Sequence, residues 1–412
     1  MIRKKIKTTY SASIIADIFS ISKKTITKWE DTGKLVPIYN SKTKKKEYDI
    51  QNMTEYCHIK DMLSSDWNEE LQTKPNSEFT SIELFAGAGG LALGLEKAGF
   101  KNILLNEIDS KACETLKLNR PNWNVAEGDV SEIDFKKFKY KVDLLSGGFP
   151  CQAFSYAGNK LGFDDIRGTL FFEFARAINE IRPKIFLAEN VKGLLSHDKG
   201  NTLKTIKRVI KELGYTLIEP KVLKALFYMV PQKRERLILI GVRDDLAPKV
   251  QFKWPSPYSR VLTLKDALKK GCLYDNDVPH SEGQLYPESK SKILKHVPQG
   301  GYWRDLPIEM QKEYMKKSFY LGGGKTGMAR RLSWDEPSLT LTCSPAQKQT
   351  ERCHPEETRP LTTREYARIQ TFPDDWCFAG SSSSIYKQIG NAVPVNLAHA
   401  IARSLVRLLN QI

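Results

Sequence analysis

The stretch "LSGGFPCQAFSYAG", from Leu145 to Gly158, places Cys151 between a proline and a glutamine, just after the end of an apolar run. A buried structural cysteine behaves as a small hydrophobe and has no need of these neighbours. A cysteine at the turn after a strand can instead act as a nucleophile, because its thiolate is the reactive form. We interpret Cys151 as a candidate catalytic nucleophile.

A carboxylic acid is predicted to lie beside this cysteine. Glu189 and Asn190 end the apolar run "KIFLAENV", which is typical of a buried strand. Because ligands of open α/β sheets bind at the carboxyl ends of the strands, Glu189 and Cys151 are expected to be neighbours there. A thiolate beside an acid favours conjugate addition, in which sulfur attacks an electron-poor ring while the acid neutralises the developing charge.

Three donor side chains alternate in "PQKRERLILIG", namely Gln232, Arg234 and Arg236. Alternate residues of a strand lie on one face. Their amide and guanidinium donors suit an aromatic carbonyl or a phosphate. We expect these side chains to reach the same edge of the sheet as Cys151.

A glycine-rich turn, "LFAGAGGLALG", separates a predicted strand from a predicted helix. Gly87, Gly89 and Gly90 let backbone amides turn tightly and approach a ligand above the helix N-terminus. Glu107 lies about 20 residues on, where a carboxylate can hold ribose hydroxyls, and Asp129 can accept from an adenine amino group. The spacing differs from GxGxxG, which favours an adenosine ligand without pyrophosphate over NAD. Ordinary strand-end turns with capping acids are the alternative.

The elements that must hold these residues alternate between strand and helix from Phe79 onward. Strands are predicted at "FTSIELF", "KNILLNEID", "NVAEGDV", "VDLLSGG", "KIFLAENV", "YTLIEPKV" and "RLILIGVR". Helices are predicted at "GLALGLEKAGF", "SKACETLKLN", "TLFFEFARAINEI" and "NTLKTIKRVIKEL". This alternation predicts an α/β fold with a doubly wound, mostly parallel sheet.

A separate module is predicted before this region. In "SASIIADIFSISKKTITKWEDTGKLVPI" the apolar residues fit two short helices, and the break from Ser20 to Ser22 offers a serine N-cap for the second. The next stretch, "LVPIYNSKTKKKEYDI", has the alternation and turn of a small wing. We predict a helix-turn-helix DNA-binding module and linker over residues 1–75, with a plain helical hairpin as the alternative.

The composition points to a polyanionic partner. The 412 residues carry a formal net charge of +16, with lysine concentrated near the N-terminus. A basic surface gains free energy when it displaces counterions from a nucleic-acid backbone.

The seven cysteines form no CxxC pair, so neither a disulfide framework nor a metal site is expected. The sequence has no long apolar run, and we expect a cytoplasmic protein without a membrane partner.

Taken in order, the motifs resemble those of the cytosine-5 DNA methyltransferases: "ELFAGAGGLALG", "NEID", "GDV", "GGFPCQAFS", "RGTLFFEFAR", "AENV", "VPQKRERLILIGVR", "RPLTTREYARIQTFPDDW" and "YKQIGNAVPVNLAHAI". The resemblance covers residues 79–408 apart from an irregular stretch. It implies a Rossmann-like fold, S-adenosyl-L-methionine as methyl donor, double-stranded DNA as substrate and 5-methylcytosine as product.

The resemblance also implies a cofactor site. Within it, Glu107 would bind the ribose, Ile108 would contact the adenine and Asp129 would hold the adenine amino group. One departure is Glu83, which stands where the family usually has aspartate. The implied cofactor residues are Phe85, Gly87, Gly89, Gly90, Glu107, Ile108, Asp129, Val130, Leu170 near the methionine end, and Asn391 and Ala392, which return with the last helix.

For catalysis the resemblance implies that the Cys151 thiolate adds to carbon 6 of cytosine. Glu189 would donate or share a proton at ring nitrogen 3, which makes carbon 5 nucleophilic toward the methyl group. Arg236 would hold the cytosine carbonyl oxygen. Because stacked neighbours block the approach above the ring plane, the base must be flipped out. The implied catalytic residues are Cys151, Glu189, Arg234, Arg236, Pro150 and Asn190.

The irregular stretch is predicted to be a target-recognition domain, residues 253–384, that reads base edges in the major groove. It lies between a catalytic and cofactor-binding domain, residues 76–252, and a C-terminal helix, residues 385–412, that returns to that domain. A solvated basic surface is the alternative for its charged residues. The DNA-binding candidates are Gln152, Ser155, Gln232, Arg330, Arg331, Gln347, Lys348 and Arg352.

Two other functions are compatible with parts of the sequence. One branch of the same family methylates transfer RNA, and a transcriptional regulator acting through residues 1–75 is a non-enzymatic alternative. The long recognition stretch and the intact Cys151, Glu189 and Arg236 favour a bacterial DNA methyltransferase of a restriction–modification system. We expect a monomer that shares its site with an endonuclease. A further hypothesis is that residues 1–75 bind operator DNA and repress the enzyme's own promoter.

Overall fold

The computed structural model describes residues 8–41, 45–150, 169–323 and 325–412. Contacts divide the chain into two compact units. The first unit contains the described residues of Met1–Leu71, Leu226–Arg234 and Ser256–Thr371, and the sheet unit contains those of Gln72–Ala225, Glu235–Pro255 and Phe372–Ile412. This division groups the N-terminal segment with the irregular stretch, whereas the sequence pattern separates them. The four predicted domain limits stay a prediction.

The strands of the described residues are β1 (Thr9–Ser11), β2 (Ile38–Asn40), β3 (Lys45–Asp49), β4 (Phe79–Leu84), β5 (Phe100–Glu107), β6 (Val125–Glu127), β7 (Leu144–Gly147), β8 (Ile185–Val191), β9 (Tyr215–Lys224), β10 (Gln232–Lys233), β11 (Glu235–Arg243) and β12 (Ser338–Leu339). Seven of them form the large sheet in the order β6-β5-β4-β7-β8-β11-β9. In this sheet β11 runs antiparallel to both of its neighbours, β8 and β9, and the other strand pairs are parallel. The predicted α/β fold with a mostly parallel sheet is confirmed.

The helices of the described residues are α1 (Ala12–Phe19), α2 (Lys23–Asp31), α3 (Cys57–Leu63), α4 (Trp67–Glu70), α5 (Gly90–Lys97), α6 (Ser110–Asn119), α7 (Leu170–Ile181), α8 (Asn201–Glu212), α9 (Leu264–Leu268), α10 (Glu288–Leu294), α11 (Ile308–Met315), α12 (Thr363–Ile369), α13 (Ser382–Asn391) and α14 (Val395–Leu409). None of the helices in the described ranges is long and apolar enough to cross a membrane.

The order of the large sheet reverses between β4 and β7. From β4 the chain moves outward to β5 and β6, and from β7 it moves the other way to β8. Parallel pairing joins Glu83 to Ser146 and Leu84 to Gly147 at the carboxyl ends of these two strands. Ligands of such sheets bind beside the strand ends where the order reverses. The glycine-rich turn after β4 and the "GGFP" segment that ends β7 therefore share one edge.

The core of the sheet unit explains why these segments fold as they do. Leu84, Leu145 and Leu237 from three strands are buried in one cluster with Phe174 and Ile178 of α7. Apolar residues along α7 recur at helical spacing, so one face of the helix covers the sheet. Burial of each large side chain stabilises the fold by about 1.5–3 kcal/mol. This core holds the strand ends that carry the site.

The N-terminal segment of the first unit, residues 8–41 and 45–71, contains the helices α1 to α4 and a three-stranded antiparallel sheet. The hydroxyl of Ser22 accepts from the backbone N–H of Thr25 at 3.1 Å, so the predicted N-cap of α2 is present. Ser20 ends α1 with φ +56°, in the left-handed region. The sheet has the order β1-β3-β2. The helices α1 and α2 are joined by a tight turn, and β2 pairs antiparallel with β3, whereas the helix-turn-helix module stays a prediction.

Candidate active site

The turn after β4 forms a backbone cradle. Phe85 has φ +58° and Gly87 has φ +54°, both in the left-handed region. A Cβ atom at Gly87 would meet nothing within 4 Å, so space is open beside this turn. Gly89, with φ +84°, is the N-cap of α5. The absence of a side chain suits Gly87 and Gly89 to these backbone angles, which other residues rarely adopt without strain.

The C-terminal helices return to this cradle within the sheet unit. A Cβ atom at Gly90 would lie 2.2 Å from the Val393 carbonyl oxygen and 3.3 Å from the Ala392 Cβ. A Cβ atom at Gly94 would lie 2.3 Å from the Ala398 Cβ. Both distances are too short for any side chain, so glycine lets α5 approach α14. The "NAVP" segment therefore lies directly against the turn, whereas the Asn391 side chain is exposed.

Glu107, at the end of β5, is bonded to the cradle. Its carboxylate accepts from the backbone N–H of Gly87 at 2.7 Å. The other carboxylate oxygen accepts from the N–H groups of Ile108 at 2.9 Å and Asp109 at 2.8 Å. Ile108 itself is 69% exposed, which is unusual for a large apolar residue at a strand end. An exposed apolar side chain beside a fixed carboxylate suits a nucleoside.

Asp129 follows β6, the strand that pairs with β5 at this edge of the sheet. Its side chain accepts from the Ser131 N–H at 2.8 Å, and that hydrogen bond lowers the pKa of the carboxyl from its usual value. Val130 is buried beneath it. The sequence analysis missed Asn106, whose amide donates to the carbonyls of Ala126 at 3.1 Å and Gly128 at 3.0 Å. A polar residue inside the buried strand "NILLNE" was the available signal.

Glu83 is buried below the cradle. It is 2% exposed, and its Oε2 has no hydrogen-bond partner among the described residues. Burial raises its pKa well above the usual 4.5, and the nearby Glu107 carboxylate raises it further. The protonated form of Glu83 is therefore favoured over a wider pH range than that of a solvent-exposed glutamate, and its position beside Glu107 is compatible with the predicted cofactor edge.

The backbone just before the predicted nucleophile is fixed by β8. The side-chain amide of Asn190 donates to the Phe149 carbonyl at 2.9 Å, and its oxygen accepts from the Val191 N–H at 2.8 Å. Asn190 is 3% exposed. Pro150, which follows Phe149, is exposed. Asn190 thus fixes the backbone at Phe149, two residues before Cys151, which lies outside the described residues.

Glu189 and Arg236 form an ion pair at the same edge. The Arg236 Nε contacts the Glu189 carboxylate, and both side chains are largely buried. A Cβ atom at Gly148 would lie 3.0 Å from the Glu189 Oε2, so glycine allows the carboxylate to approach the segment that leads to Cys151. The structure brings Glu189, Arg236 and Gly148 together at this edge of the sheet.

Gln232 and Arg234 are directed inward in the first unit. Gln232 is fully buried, donates to the Gln370 side chain at 2.9 Å and accepts from the Leu341 N–H at 3.1 Å. Arg234 is 2% exposed and donates to the Leu341 carbonyl at 3.3 Å. The expectation that Gln232 contacts DNA is therefore wrong, because internal bonds engage both ends of its amide. Arg236 alone of the three is in the sheet unit.

Two arginines of the predicted DNA-binding set support the irregular stretch from inside. Arg331 is 4% exposed and donates to the carbonyls of Val297 at 2.8 Å and His354 at 3.0 Å. Arg352 is 5% exposed and donates to the Thr340 carbonyl at 3.1 Å. Burial lowers the pKa of Arg352 to about 10. The prediction that these two read bases is wrong, because their donors satisfy buried backbone carbonyls.

The other DNA-binding candidates of this stretch remain accessible. Gln347 is exposed, and Arg330 and Lys348 are half-buried. The Lys348 ammonium donates to the Tyr314 backbone carbonyl at 2.8 Å. It also lies over the Tyr314 ring, 5.0 Å from the ring centroid. Lys348 therefore helps to fix the loop from which Gln347 projects.

Cys151, Gln152 and Ser155 lie outside the described residues. Leu170 begins α7, after Thr169, whose hydroxyl caps the helix by accepting from the Phe172 N–H at 3.1 Å. Leu170 is half-buried and packs against the core of the sheet unit.

Trp376 is a site residue that the sequence analysis did not assign. It is 1% exposed, and a Cβ atom at Gly89 would lie 3.1 Å from its ring. Trp123 packs on it at 6.1 Å between ring centroids, and the Arg120 guanidinium lies 5.3 Å from its ring centroid. The tryptophan in "TFPDDW" thus packs against the glycine turn at Gly89.

Known proteins resemble this chain over most of its length. A sequence model described as C-5 cytosine-specific DNA methylase matches residues 79–407. The chain is 65% identical over 407 residues to the type II methyltransferase M.Eco47II of Escherichia coli, covering 99% of this chain and 97% of that protein. It is 63% identical over 401 residues to the type II methyltransferase M.PspPI of Psychrobacter sp., covering 97% and 96%.

Solved structures share the fold. A prophage-encoded E. coli protein, described as a DNA modification methyltransferase, superposes with a TM-score of 0.63 at 27% identity, covering 81% of this chain and all of that one. Spodoptera frugiperda DNMT2 superposes with a TM-score of 0.54 at 17% identity, covering 80% and 99%. The second likeness concerns the fold alone.

Proposed function

Because the chain belongs to the C-5 cytosine-specific DNA methylase family and methylates carbon 5 of cytosine at specific DNA sites, we propose that it does so through a covalent bond to Cys151. The observation that carries this proposal is the joint position of Glu189, Arg236 and the Asn190-anchored Phe149. These residues surround the segment that leads to Cys151. The relatives are type II methyltransferases, and a restriction–modification role follows from that similarity.

The reaction needs a nucleophile and a proton donor on one base. We propose that the Cys151 thiolate forms a bond to carbon 6 while Glu189 places a proton at ring nitrogen 3, which makes carbon 5 an enamine carbon. After methyl transfer, loss of the carbon 5 proton and of the thiolate restores the aromatic ring. Water or hydroxide is the base for that step. Arg236 orients the Glu189 carboxylate and contacts the cytosine carbonyl oxygen.

The family implies S-adenosylmethionine as the methyl donor, and the cradle fits an adenosine ligand of this kind. The fit rests on the open space at Gly87, the fixed Glu107 carboxylate and the exposed Ile108. We propose that Glu107 binds the ribose hydroxyls, Ile108 packs on the adenine and Asp129 accepts from its amino group. The bound donor supplies an electrophilic methyl group. Phe85, Gly89, Gly90, Val130, Leu170, Asn391 and Ala392 complete the proposed cofactor set.

We propose that double-stranded DNA is read by the exposed part of the irregular stretch. Gln347 is exposed, and Arg330 and Lys348 are half-buried. Gln152 and Ser155, beside the nucleophile, are proposed to contact the flipped nucleotide. A glutamine amide can recognise adenine, and an arginine can recognise guanine. Substitution of Gln347 by Ala should change the sequence preference of methylation, whereas substitution of Lys348 should weaken DNA affinity for all sequences.

A second DNA contact is proposed for the N-terminal segment. On α2 the side chains of Lys24, Thr27 and Lys28 are exposed, and Lys45 and Lys46 of β3 are exposed nearby in the chain. A helix with an exposed basic face after a tight turn is typical of DNA-reading helices. We propose operator DNA as its partner. A reporter driven by the enzyme's own promoter should lose repression when Lys24 and Lys28 are both replaced by Gln.

Bisulfite sequencing tests the main proposal most completely. DNA from a host that expresses the wild-type chain should carry 5-methylcytosine at one short sequence, and DNA from a host with Cys151→Ser should carry none. Labelled methyl transfer to purified duplex DNA and to transfer RNA should give product only with the duplex. Methylation of transfer RNA alone would overturn the DNA substrate, and full activity of Cys151→Ser would overturn the covalent step.

A further inference from the structure

Lys233 connects the N-terminal segment to the segment that precedes Arg236. Its ammonium lies 2.8 Å from the Asp17 carboxylate on α1 and 3.3 Å from the Glu336 carboxylate. The three side chains are only 18%, 22% and 20% exposed. Charges that are shielded from solvent are screened less by salt than surface pairs are. Loss of one acid would leave Lys233 partly buried without its full compensation.

Further contacts fasten the same N-terminal segment to the first unit. Tyr10 is 1% exposed, and its hydroxyl accepts from the Val261 N–H at 3.3 Å. The Glu70 carboxylate, also buried, accepts from the Ser256 N–H at 3.1 Å. Trp67 packs against the Tyr258 ring at 5.6 Å between centroids. Residues 8–41 and 45–71 are therefore an integral part of the first unit and not a freely tethered module.

The residues on either side of Lys233 engage the irregular stretch. Gln232 accepts from the Leu341 N–H, and Arg234 donates to the Leu341 carbonyl. Lys233 itself pairs with Leu339 in the parallel bridge of β10 and β12. The segment 232–234 is thus fixed on one side by residues 338–341 and on the other by Asp17 of the N-terminal segment. Two residues later the chain reaches Arg236, the partner of Glu189.

We propose that the N-terminal segment is a positioning element for methylation, in which Asp17 and Glu336 hold Lys233 and thereby fix the segment between Gln232 and Arg236. A contiguous set of packed and hydrogen-bonded residues is a physical route for such coupling. Asp17 is a positioning residue, because it acts through Lys233. The family model begins at residue 79, so Asp17 lies outside the part that defines the family. The proposal rests on DNA methylation by the chain and is independent of operator binding.

The test is a double-mutant cycle in the full-length chain. Asp17→Asn and Lys233→Gln, alone and combined, are assayed for kcat and KM with duplex DNA at a temperature where circular dichroism shows every variant folded. Asp61→Asn is the matched control, because Asp61 is an exposed acid of α3 in the same segment. Methylation by the wild-type chain is measured first, so that failure of the main reaction is separated from failure of the coupling.

We expect each single substitution to lower kcat/KM by about tenfold, and the double substitution to lower it no further, because both remove the same interaction. Asp17→Glu should restore part of the loss, and Asp61→Asn should match the wild type. A change in melting temperature with unchanged kcat and KM would overturn the proposal, since it would show a purely structural role. Additive losses in the double variant would also overturn it, because they would show independent effects.

Discussion

The side-chain amide of Asn190 donates to the Phe149 carbonyl at 2.9 Å, which ties the end of β8 to the backbone two residues before Cys151. The same side chain accepts from the Val191 N–H, so its orientation is fixed from both ends. Glu189, the preceding residue, carries the proposed proton donor. Adjacent residues of β8 therefore carry the proposed acid and the amide that fixes the backbone at Phe149.

Asn190→Asp separates these two contacts. The carboxylate can still accept from the Val191 N–H, but it can no longer donate to the Phe149 carbonyl. A reacting atom displaced by about 1 Å can cost about 100-fold in rate, so kcat should fall by about 10- to 100-fold. Single-turnover methyl transfer measures this. Asn124→Asp is the control, because Asn124 makes a similar amide-to-carbonyl bond to Ile103 just before β6; an equal loss in both variants would contradict the positioning role.

Glu189→Gln should remove proton donation while it preserves the shape of the side chain. General acid catalysis contributes about 10²–10⁴-fold, so kcat should fall within that range while DNA affinity changes little. The methylation rate and the gel-shift affinity are both measured with the same DNA duplex, for the variant and the wild type. Glu235→Gln is the matched control, since Glu235 pairs with Lys192 on the adjacent part of the sheet. Wild-type kcat in Glu189→Gln would rule out its acid role.

Gly148→Ala tests the close approach of Glu189. The new Cβ atom would lie 3.0 Å from the Glu189 Oε2, so the carboxylate must shift by a few tenths of an ångström against its Arg236 partner. We expect about a tenfold lower kcat with a nearly unchanged melting temperature. Gly193→Ala should be neutral, because its Cβ would meet only the Val191 side chain at 3.9 Å. Equal rates for the two variants would show that Glu189 has freedom to move.

Glu83 should make stability depend on pH. Its pKa is raised well above 4.5 in the folded chain, chiefly by burial, so the folded state keeps a proton that the unfolded state has lost. The free energy of unfolding should therefore fall as pH rises from about 4.5 through the folded pKa, by up to ~1.4 kcal/mol per pH unit.

Glu83→Gln should remove this slope, so the variant should gain stability relative to the wild type as the pH rises above about 4.5. Urea unfolding of both proteins at several pH values measures the difference. Parallel stability curves for the two proteins would show that Glu83 is ionised in the fold or equally protonated in both states.

Local patterns in the sequence were sufficient for the sheet. Apolar runs bounded by glycine and polar residues predicted the strands from β4 to β9, and Ser22 predicted the N-cap of α2. Both kinds of signal lie within a few residues of the element that they predict. The edge carrying Glu107, Asp129 and Glu189 followed from strand ends alone. The reversed direction of β11 was not visible, since strand polarity depends on pairing between distant segments.

Contacts across long sequence separations could not be predicted. Gln232, Arg331 and Arg352 have the residue types of a DNA surface, but each satisfies buried groups that are distant in sequence or part of an irregular loop. The Asn190 amide donates to the Phe149 carbonyl, and the Trp376 ring lies close to Gly89. Both contacts also join residues that are distant in sequence. The ion pair between Asp17 and Lys233 joins residues more than 200 positions apart, and no local pattern indicates it.

The most direct test of covalent catalysis is a trapping experiment on duplex DNA that contains 5-fluorocytosine at the methylated position. Fluorine cannot leave as a proton does, so the adduct should persist. With S-adenosylmethionine, the wild-type chain and the control Cys377→Ser should form a complex that resists denaturant, and Cys151→Ser should form none. A complex of equal yield with Cys151→Ser, or no complex with an active wild-type chain, would contradict the covalent role of Cys151.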